Sequence, residues 1–396
     1  MRILFFLFLG TVYLYASTIS LDEILQEMKS EHPLAKSNQA YEDAYSEQNR
    51  AKSSRSALRF SAQGAYAEPD TEDSGYEYGV GLQQTLMNSG VQENKFRSAR
   101  YLSDAQILEQ KHKFMLLENS VRLLYHISCL DQKAIKQYRT SYEAFETLYE
   151  KKEKAYQYGE ISKKELLQLG IELKRLKNEY KHYEGEEKIS RNNLQSKILL
   201  PLYADKTLSC EDTYPIRESL SFAIPEESLK EQSLNKKIQS TQSDFKRFDT
   251  MFDSFTVSAS YEEELDTNRF IVGLSVPLNF TNAINEKSRA AALHKRSALE
   301  YEKEGLELER TSEMARLKKQ LAQHFQDIEI LTSMLNQYEN ELMPLIEKGY
   351  RLGEDSAIEY LLSKREMWRF KEDLLSHYKN YYQTLFSLYS VLEIKE

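Results

Sequence analysis

Four short runs of this chain alternate apolar and polar side chains one by one, inside a sequence that is otherwise charged and prone to form helix. From Leu58, the positions Leu58, Phe60, Ala62, Gly64 and Tyr66 alternate with Arg59, Ser61, Gln63 and Ala65. From Tyr76, the positions Tyr76, Tyr78, Val80, Leu82 and Leu86 alternate with Glu77, Gly79, Gly81, Gln83 and Thr85. Phe255, Val257, Ala259 and Tyr261 alternate with Thr256, Ser258 and Ser260, and Phe270, Val272, Leu274, Val276 and Leu278 alternate with Gly273, Ser275 and Asn279. Successive side chains of a strand point to opposite faces, so each run is a strand with one apolar and one polar or small face. Acidic connections, Glu68 to Gly75 and Glu262 to Asn268, join them into hairpins over 57–87 and 253–280 with tips suited to water.

Strands of about ten residues with aromatics near their ends fit an outer-membrane barrel, whose apolar side chains face lipid. The side chains expected on that face are Phe60, Tyr66, Tyr78, Val80, Leu82, Phe255, Val257, Phe270, Val272 and Leu274. A soluble β-sandwich also alternates, but acidic tips, flanking helices and an export segment favour the barrel. Hydrocarbon does not tolerate unpaired strand edges, so four strands from one chain need partners. Two chains supply eight strands, whose interior side chains fill; three supply twelve and leave a lumen. A homotrimer is therefore the expected assembly.

Between the strands the chain is built for long helices. Only 13 Gly and 7 Pro punctuate 396 residues, of which 29% are charged. No Gly or Pro occurs from Gln92 to Tyr156, and only Gly305 and Pro344 interrupt Asn282 to Lys348, so each stretch can run as ~65 residues of helix, ~100 Å. Leu116, Ser120, Leu123, Ile127 and Leu130 form one helical seam, with Leu117, Val121 and Leu124 as a second beside it. Two adjacent seams let one helix pack on both sides, as staves of a helical barrel do.

One turn is written twice. YQYGEISKKELLQ begins at Tyr156 and YRLGEDSAIEYLL at Tyr350, so that Tyr156 matches Tyr350, Glu160 matches Glu354, Leu167 matches Leu361 and Arg175 matches Arg369 at the offset 353 − 159 = 194. Gly159 and Gly353 suit left-handed helix ends, and Ser162 with Glu165, like Ser356 with Glu359, spells a capping box. GLQQTLMNSGVQENKFRSA from Gly81 likewise matches GLSVPLNFTNAINEKSRAA from Gly273 at 273 − 81 = 192. The expected organisation is a first repeat over 17–205 with its tip near 159, a linker over 206–224, and a second repeat over 225–396 with its tip near 353. Each repeat reads helix, β-hairpin, long helical hairpin.

Arg2 followed by the apolar run Ile3–Tyr15 and the small residues Ala16 and Ser17 predicts a secretory signal over 1–16; the run is shorter than the ~20 residues of a membrane-spanning helix. Net charge −9 leaves no basic footprint for nucleic acid. Cys129 and Cys210 are two thiols far apart in sequence, which gives little ground to expect a disulfide even after export.

At this point the chain resembles the TolC family of outer-membrane efflux channels along nearly all its length after the leader. The resemblance rests on LDEILQEMKSEHPLAKSNQ, on GLSVPLNF running into NEKSRAA, and on the two Y-x-x-G turns, in that order in two halves. It implies a mainly α fold with a small β part: a trimeric 12-stranded outer-membrane β-barrel continuous with a long periplasmic α-helical barrel, with 206–224 in an equatorial region. It also implies a passive exit duct joined to an inner-membrane transporter by a periplasmic adaptor, or the outer-membrane component of a type I secretion system. Glu160, Glu354 and Asp355 are then candidates for acidic rings at the periplasmic aperture, which act on ions as charged rings do in channels, or else they complement helix dipoles. Tyr156, Gly159, Tyr350 and Gly353 are the candidate adaptor-docking tips.

Two other classes fit the sequence less well. An enzyme lacks support: no nucleophile elbow, phosphate loop or zinc motif occurs, and His126 with Cys129, one helical turn apart, reads as packing rather than a metal pair. No cofactor or metal is expected. A soluble periplasmic coiled-coil adaptor would need a lipoyl-like or barrel domain between its helices, where the chain has only two amphipathic hairpins.

Overall fold

The computed structural model describes residues 18–54, 56–68, 74–200, 206–211, 213–218, 225–279 and 283–394. The leader expected over 1–16, the tip of the first hairpin and part of the 206–224 linker lie outside these residues. In chain order the elements are β1 (Thr18–Ile19), α1 (Leu21–Glu31), α2 (Pro33–Ser53), β2 (Arg59–Ala67), β3 (Gly75–Met87), α3 (Ser89–Gln157), α4 (Lys163–Ile198), β4 (Thr207–Leu208), α5 (Leu229–Phe248), β5 (Ser254–Glu263), β6 (Asn268–Ser275), α6 (Ile284–Gln337), α7 (Met343–Leu352) and α8 (Ala357–Leu392). The fold is mainly α with a small β part.

The chain forms two compact units. The first takes described residues from Met1–Lys36, Phe114–Pro225 and Ser312–Glu396, and the second Ser37–Lys113 and Glu226–Thr311.

In the first unit, helix periodicity decides who packs on whom. Leu21, Ile24, Leu25 and Met28 share one face of α1, started by a full Ser20–Glu23 capping box. They are buried against Val121, Tyr125 and Cys129 of α3 and Leu194 and Ile198 of α4. A second cluster joins Leu317, Leu321 and Ile328 of α6 to Tyr381, Leu385, Leu388 and Leu392 of α8. The two seams of α3 serve these two clusters separately. Leu117 and Leu124 pack on the first, while Leu123 and Leu130 pack on the second.

Gly305 does not interrupt α6. Pro344 is carried by a local change of helix type: a π-helical turn, Tyr338–Leu342, precedes it and Pro344 sits in the first turn of α7. Proline has no N–H to continue an i→i−4 ladder, and a first-turn position needs none.

The second unit holds the four-stranded antiparallel sheet, ordered β2-β3-β5-β6. Its helices approach through small polar side chains. The Ser98 and Ser240 hydroxyls meet at 2.9 Å, and Ser233 donates to the Ala105 carbonyl at 3.0 Å. Glu231, almost fully buried, pairs with Arg310 at 3.0 Å.

Candidate functional site

The register of the sheet sorts every strand residue to a face. Phe60 lies opposite Leu82, Ala62 opposite Val80, Gly64 opposite Tyr78 and Tyr66 opposite Tyr76. Leu82 then faces Ala259 and Val80 faces Tyr261 across β5, and Val257, Ala259 and Tyr261 face Leu274, Val272 and Phe270 across β6. All ten side chains expected on the apolar face therefore share one face. Nine of them are exposed, Phe270 at 83% and Val272 at 81%, while Phe255 is half-buried. Gln84, opposite Val257, is the polar exception. The other face carries Ser61, Gln63, Gly79, Gly81, Gln83, Thr256, Ser258 and Gly273, with Met87 and Ile271 as its apolar exceptions.

Aromatic pairs gather beside the acidic connections. Tyr66 meets Tyr76 edge-on at 5.1 Å and Tyr261 meets Phe270 at 4.9 Å. Gly81 and Gly273 are spaces on the polar face, since a Cβ there would lie 2.8 Å from the Ser61 hydroxyl and 2.7 Å from the Ser258 hydroxyl.

The second hairpin ends sooner than its alternation predicts. β6 stops at Ser275, leaving Val276 and Leu278 outside the strand. Pro277 has no N–H for a ladder bond, which is the physical reason. The base of the sheet is pinned instead by two asparagines. The Asn88 N–H donates to the Asp253 carbonyl at 2.9 Å, and the Asn279 side chain bonds the Thr250 carbonyl at 3.1 Å and the Asp253 carboxylate at 2.9 Å.

The two repeated turns share backbone geometry. Gly159 has φ 79° and Gly353 φ 78°. The N–H after each glycine closes a six-residue loop, from Glu160 to the Ala155 carbonyl and from Glu354 to the Gly349 carbonyl, both at 2.9 Å. The helix starts differ. Ser356 accepts from the Glu359 N–H while Glu359 accepts from the Ser356 N–H, a complete box. Ser162 accepts from the Glu165 N–H at 3.1 Å, but the Glu165 carboxylate lies 4.0 Å from Lys152, so the predicted box at this turn is only half made. Lys152 competes for the carboxylate, and among the described residues no lysine pairs with Glu359. The Ser356 N–H and hydroxyl hold the Glu359 carboxyl below its usual range.

Exposure separates the tip residues. Glu160, Glu354, Gly159, Gly353 and Tyr156 are exposed. Asp355 is half-buried and folds its carboxylate over Gly349, where a Cβ would come within 2.9 Å of its carboxyl carbon. Tyr350 is half-buried, stacked on Tyr360 at 4.9 Å with the Lys152 ammonium over its ring. Tyr158, 82% exposed, was not singled out from the sequence, although it is the aromatic beside Gly159.

Cys129 and Cys210 form a disulfide, a pairing that their separation in sequence left open. The sequence separation of 81 hid a docked segment. Residues 206–211 and 213–218 lie along the helices, with β4 pairing β1 in parallel. The Tyr214 N–H donates to His126 Nε2 at 2.9 Å, the Arg217 N–H to the Tyr381 hydroxyl at 3.0 Å, and the Tyr382 hydroxyl to the Tyr214 carbonyl at 2.7 Å. His126 thus uses both ring nitrogens on backbone, since Nδ1 lies 2.7 Å from the Arg122 carbonyl. Burial among Tyr125, Tyr214, Tyr382 and Phe386 lowers it to about 4.

No helix is long and apolar enough to cross a membrane among the described residues. No protein-family sequence model and no curated protein sequence matches the chain. Solved structures do. The outer membrane channel CmeC of Campylobacter jejuni superposes with TM-score 0.77 at 13% identity, over 94% of this chain and 85% of that one. The outer membrane protein VceC of Vibrio cholerae gives 0.75 at 13%, over 94% and 95%. The open MtrE outer membrane channel of Neisseria gonorrhoeae gives 0.75 at 16%, over 94% and 88%. The chain therefore has the fold of these outer-membrane channels.

Proposed function

We propose that three copies of this chain form an outer-membrane exit duct of the TolC family. Four strands from each copy close a twelve-stranded barrel, the helices continue the bore into the periplasm, and the chain is an internal duplication. The observation that carries this is the sheet: across four strands in register, one face is apolar but for Gln84 and largely exposed, while the other, Met87 and Ile271 apart, is polar or small. That is what a wall between lipid and water requires. The edge strands β2 and β6 then find partners in neighbouring copies, which satisfies the backbone. The exported leader expected from the sequence agrees with this location.

The duct is passive. An inner-membrane transporter and a periplasmic adaptor supply energy and select the cargo, and the adaptor docks at the turns carrying Tyr156, Gly159, Tyr350 and Gly353. Glu160 and Glu354, exposed at those turns, repeat threefold around the aperture with Asp355 behind them.

The direct test is purification from outer membranes. The expected product is a trimer whose gel mobility changes on heating and which conducts ions in planar bilayers. A water-soluble monomer that leaves liposomes intact would overturn the proposal. For the aperture, Glu160→Ala with Glu354→Ala should raise conductance and reduce cation preference; unchanged conductance and selectivity would remove the acidic residues from gating.

A further inference from the structure

Away from the sheet and the tips, α6 and α8 bring together a set of side chains that the channel reading does not use. His324 and Asp327 are one turn apart on α6, and His377 faces them from α8. One potential ligand atom from each lies within 4.8 Å of the others, and all three residues are half-buried. The three positions are scattered in sequence, so spacing alone did not reveal them.

Two features set this cluster apart from an incidental ion pair. First, the Nδ1 atoms of His324 and His377 are shielded from solvent and hydrogen-bonded to nothing among the described residues. Buried ring nitrogens normally find a partner, whereas His324 Nδ1 has no hydrogen bond among the described residues and His377 Nδ1 has only the Asp327 carboxylate, at 3.5 Å. Second, the carboxylate between them is oriented. Gln323 donates to Asp327 Oδ1 at 2.9 Å, which leaves Oδ2 facing His377 Nδ1 at 3.5 Å. Around a zinc-type ion with bonds near 2.1 Å, neighbouring ligand atoms are roughly 3.4 Å apart in a tetrahedron. The His377–Asp327 pair has that spacing, and the ligand atom of His324 lies within 4.8 Å of both.

The backbones that carry the set are fixed. Leu321 and Ile328 flank His324 and Asp327 in the buried α6–α8 cluster, with Leu374 and Tyr378 of α8 packed against it. Two imidazoles and one carboxylate, with open positions for water, suit a borderline divalent cation and not calcium or magnesium, which take oxygen ligands. One negative charge against two positive ones also leaves a tolerable net charge in a half-buried setting.

We infer that His324, Asp327 and His377 form a binding site for a divalent transition-metal ion of the zinc class, which clamps α6 to α8 with Gln323 orienting the carboxylate. The site belongs to one chain and does not depend on the channel function. A clamp there ties the second long helix to its return helix and adds stability only when metal is bound, through mass action.

The test uses the full chain in detergent, untagged, stripped with chelator and titrated with ZnCl₂ by calorimetry and with CoCl₂ by visible absorption. The expected result is one ion per chain and a Co²⁺ spectrum of nitrogen and oxygen ligation. His324→Ala and His377→Ala should each raise Kd by at least about tenfold, since loss of a ligand costs no less than loss of an outer partner. Asp327→Asn, nearly the same shape, should do likewise while far-UV circular dichroism stays that of the wild type. Exposed His182→Ala should change nothing. The inference fails if the stripped protein takes up no Zn²⁺ below millimolar concentration. It also fails if the His324→Ala/His377→Ala double variant binds as tightly as the wild type, because the ion would then be held elsewhere.

Discussion

At His126 one imidazole contributes to holding a docked segment in place. Its Nε2 accepts the Tyr214 N–H and Nδ1 meets the Arg122 carbonyl, so the ring is neutral with its proton on Nδ1. Protonation removes the acceptor. Because burial lowers the folded value to about 4 from 6.5, the unfolded chain binds the extra proton first. The neutral ring's contribution is complete above pH 6.5 and is lost as pH falls from there through about 4; the shift corresponds to something on the order of 3 kcal/mol. Hydrogen exchange of peptides covering 206–218, corrected for intrinsic rates, should accelerate over that window, and His126→Gln should flatten the dependence. A pH-independent profile in the wild-type chain would contradict the geometry.

The two capping serines give a second comparison at this scale. Ser356→Ala removes the hydroxyl that accepts the Glu359 N–H and donates to its carboxylate, leaving only the backbone half of the box, and should open the first turn of α8 by about 1 kcal/mol. Ser162→Ala removes one bond and should cost α4 less. Since Glu359 is held below its usual range, the α8 box is present above that range and fails as pH falls through the depressed value. Exchange at 357–362 should show this acid sensitivity.

Among the elements, what could be read from sequence is what is local or periodic. The apolar face of all four strands followed from alternation alone, and the register placed every one of the ten named residues together. Gly159 and Gly353 announced their left-handed turns because no other residue type takes that conformation so readily. The double seam of α3 foretold two packing partners, without naming them. Features that depend on distant chain segments were not legible. The Glu165 carboxylate is diverted by Lys152 from another helix, and His324 meets His377 only because α6 and α8 pack. The disulfide belongs with these: Cys210 reaches Cys129 because 206–211 and 213–218 lie on α3 and α8. A bridge closing a loop of that size contributes typically 2–4 kcal/mol. Cys210→Ser should lower the denaturation midpoint of the first unit accordingly and raise exchange in 206–218. The bonds through Tyr381 and Tyr382 should keep the segment docked rather than released.

For the whole molecule, the decisive matter is which side of the sheet meets lipid, and adjacent residues answer it. Leu82 and Gln83 occupy successive positions of β3, so they point to opposite faces; Leu82 is framed by Phe60 and Ala259, Gln83 by Arg59 and Ser258. Both are exposed in the single chain, so burial does not distinguish them, and an arginine at either site meets the same strand propensity. Only their surroundings in the proposed barrel differ. On a lipid-facing wall Leu82→Arg places a guanidinium in hydrocarbon, at about 2–4 kcal/mol near the midplane for each copy, whereas Gln83→Arg projects into a water-filled lumen and costs little. Threefold assembly multiplies the difference. The fraction of protein recovered from outer membranes as heat-modifiable trimer should fall severely for Leu82→Arg and stay near wild type for Gln83→Arg, with the latter also shifting ion selectivity toward anions. Equal losses for the two, or loss from Gln83→Arg alone, would show that the apolar face is buried against protein, and the exit-duct architecture would fall with it.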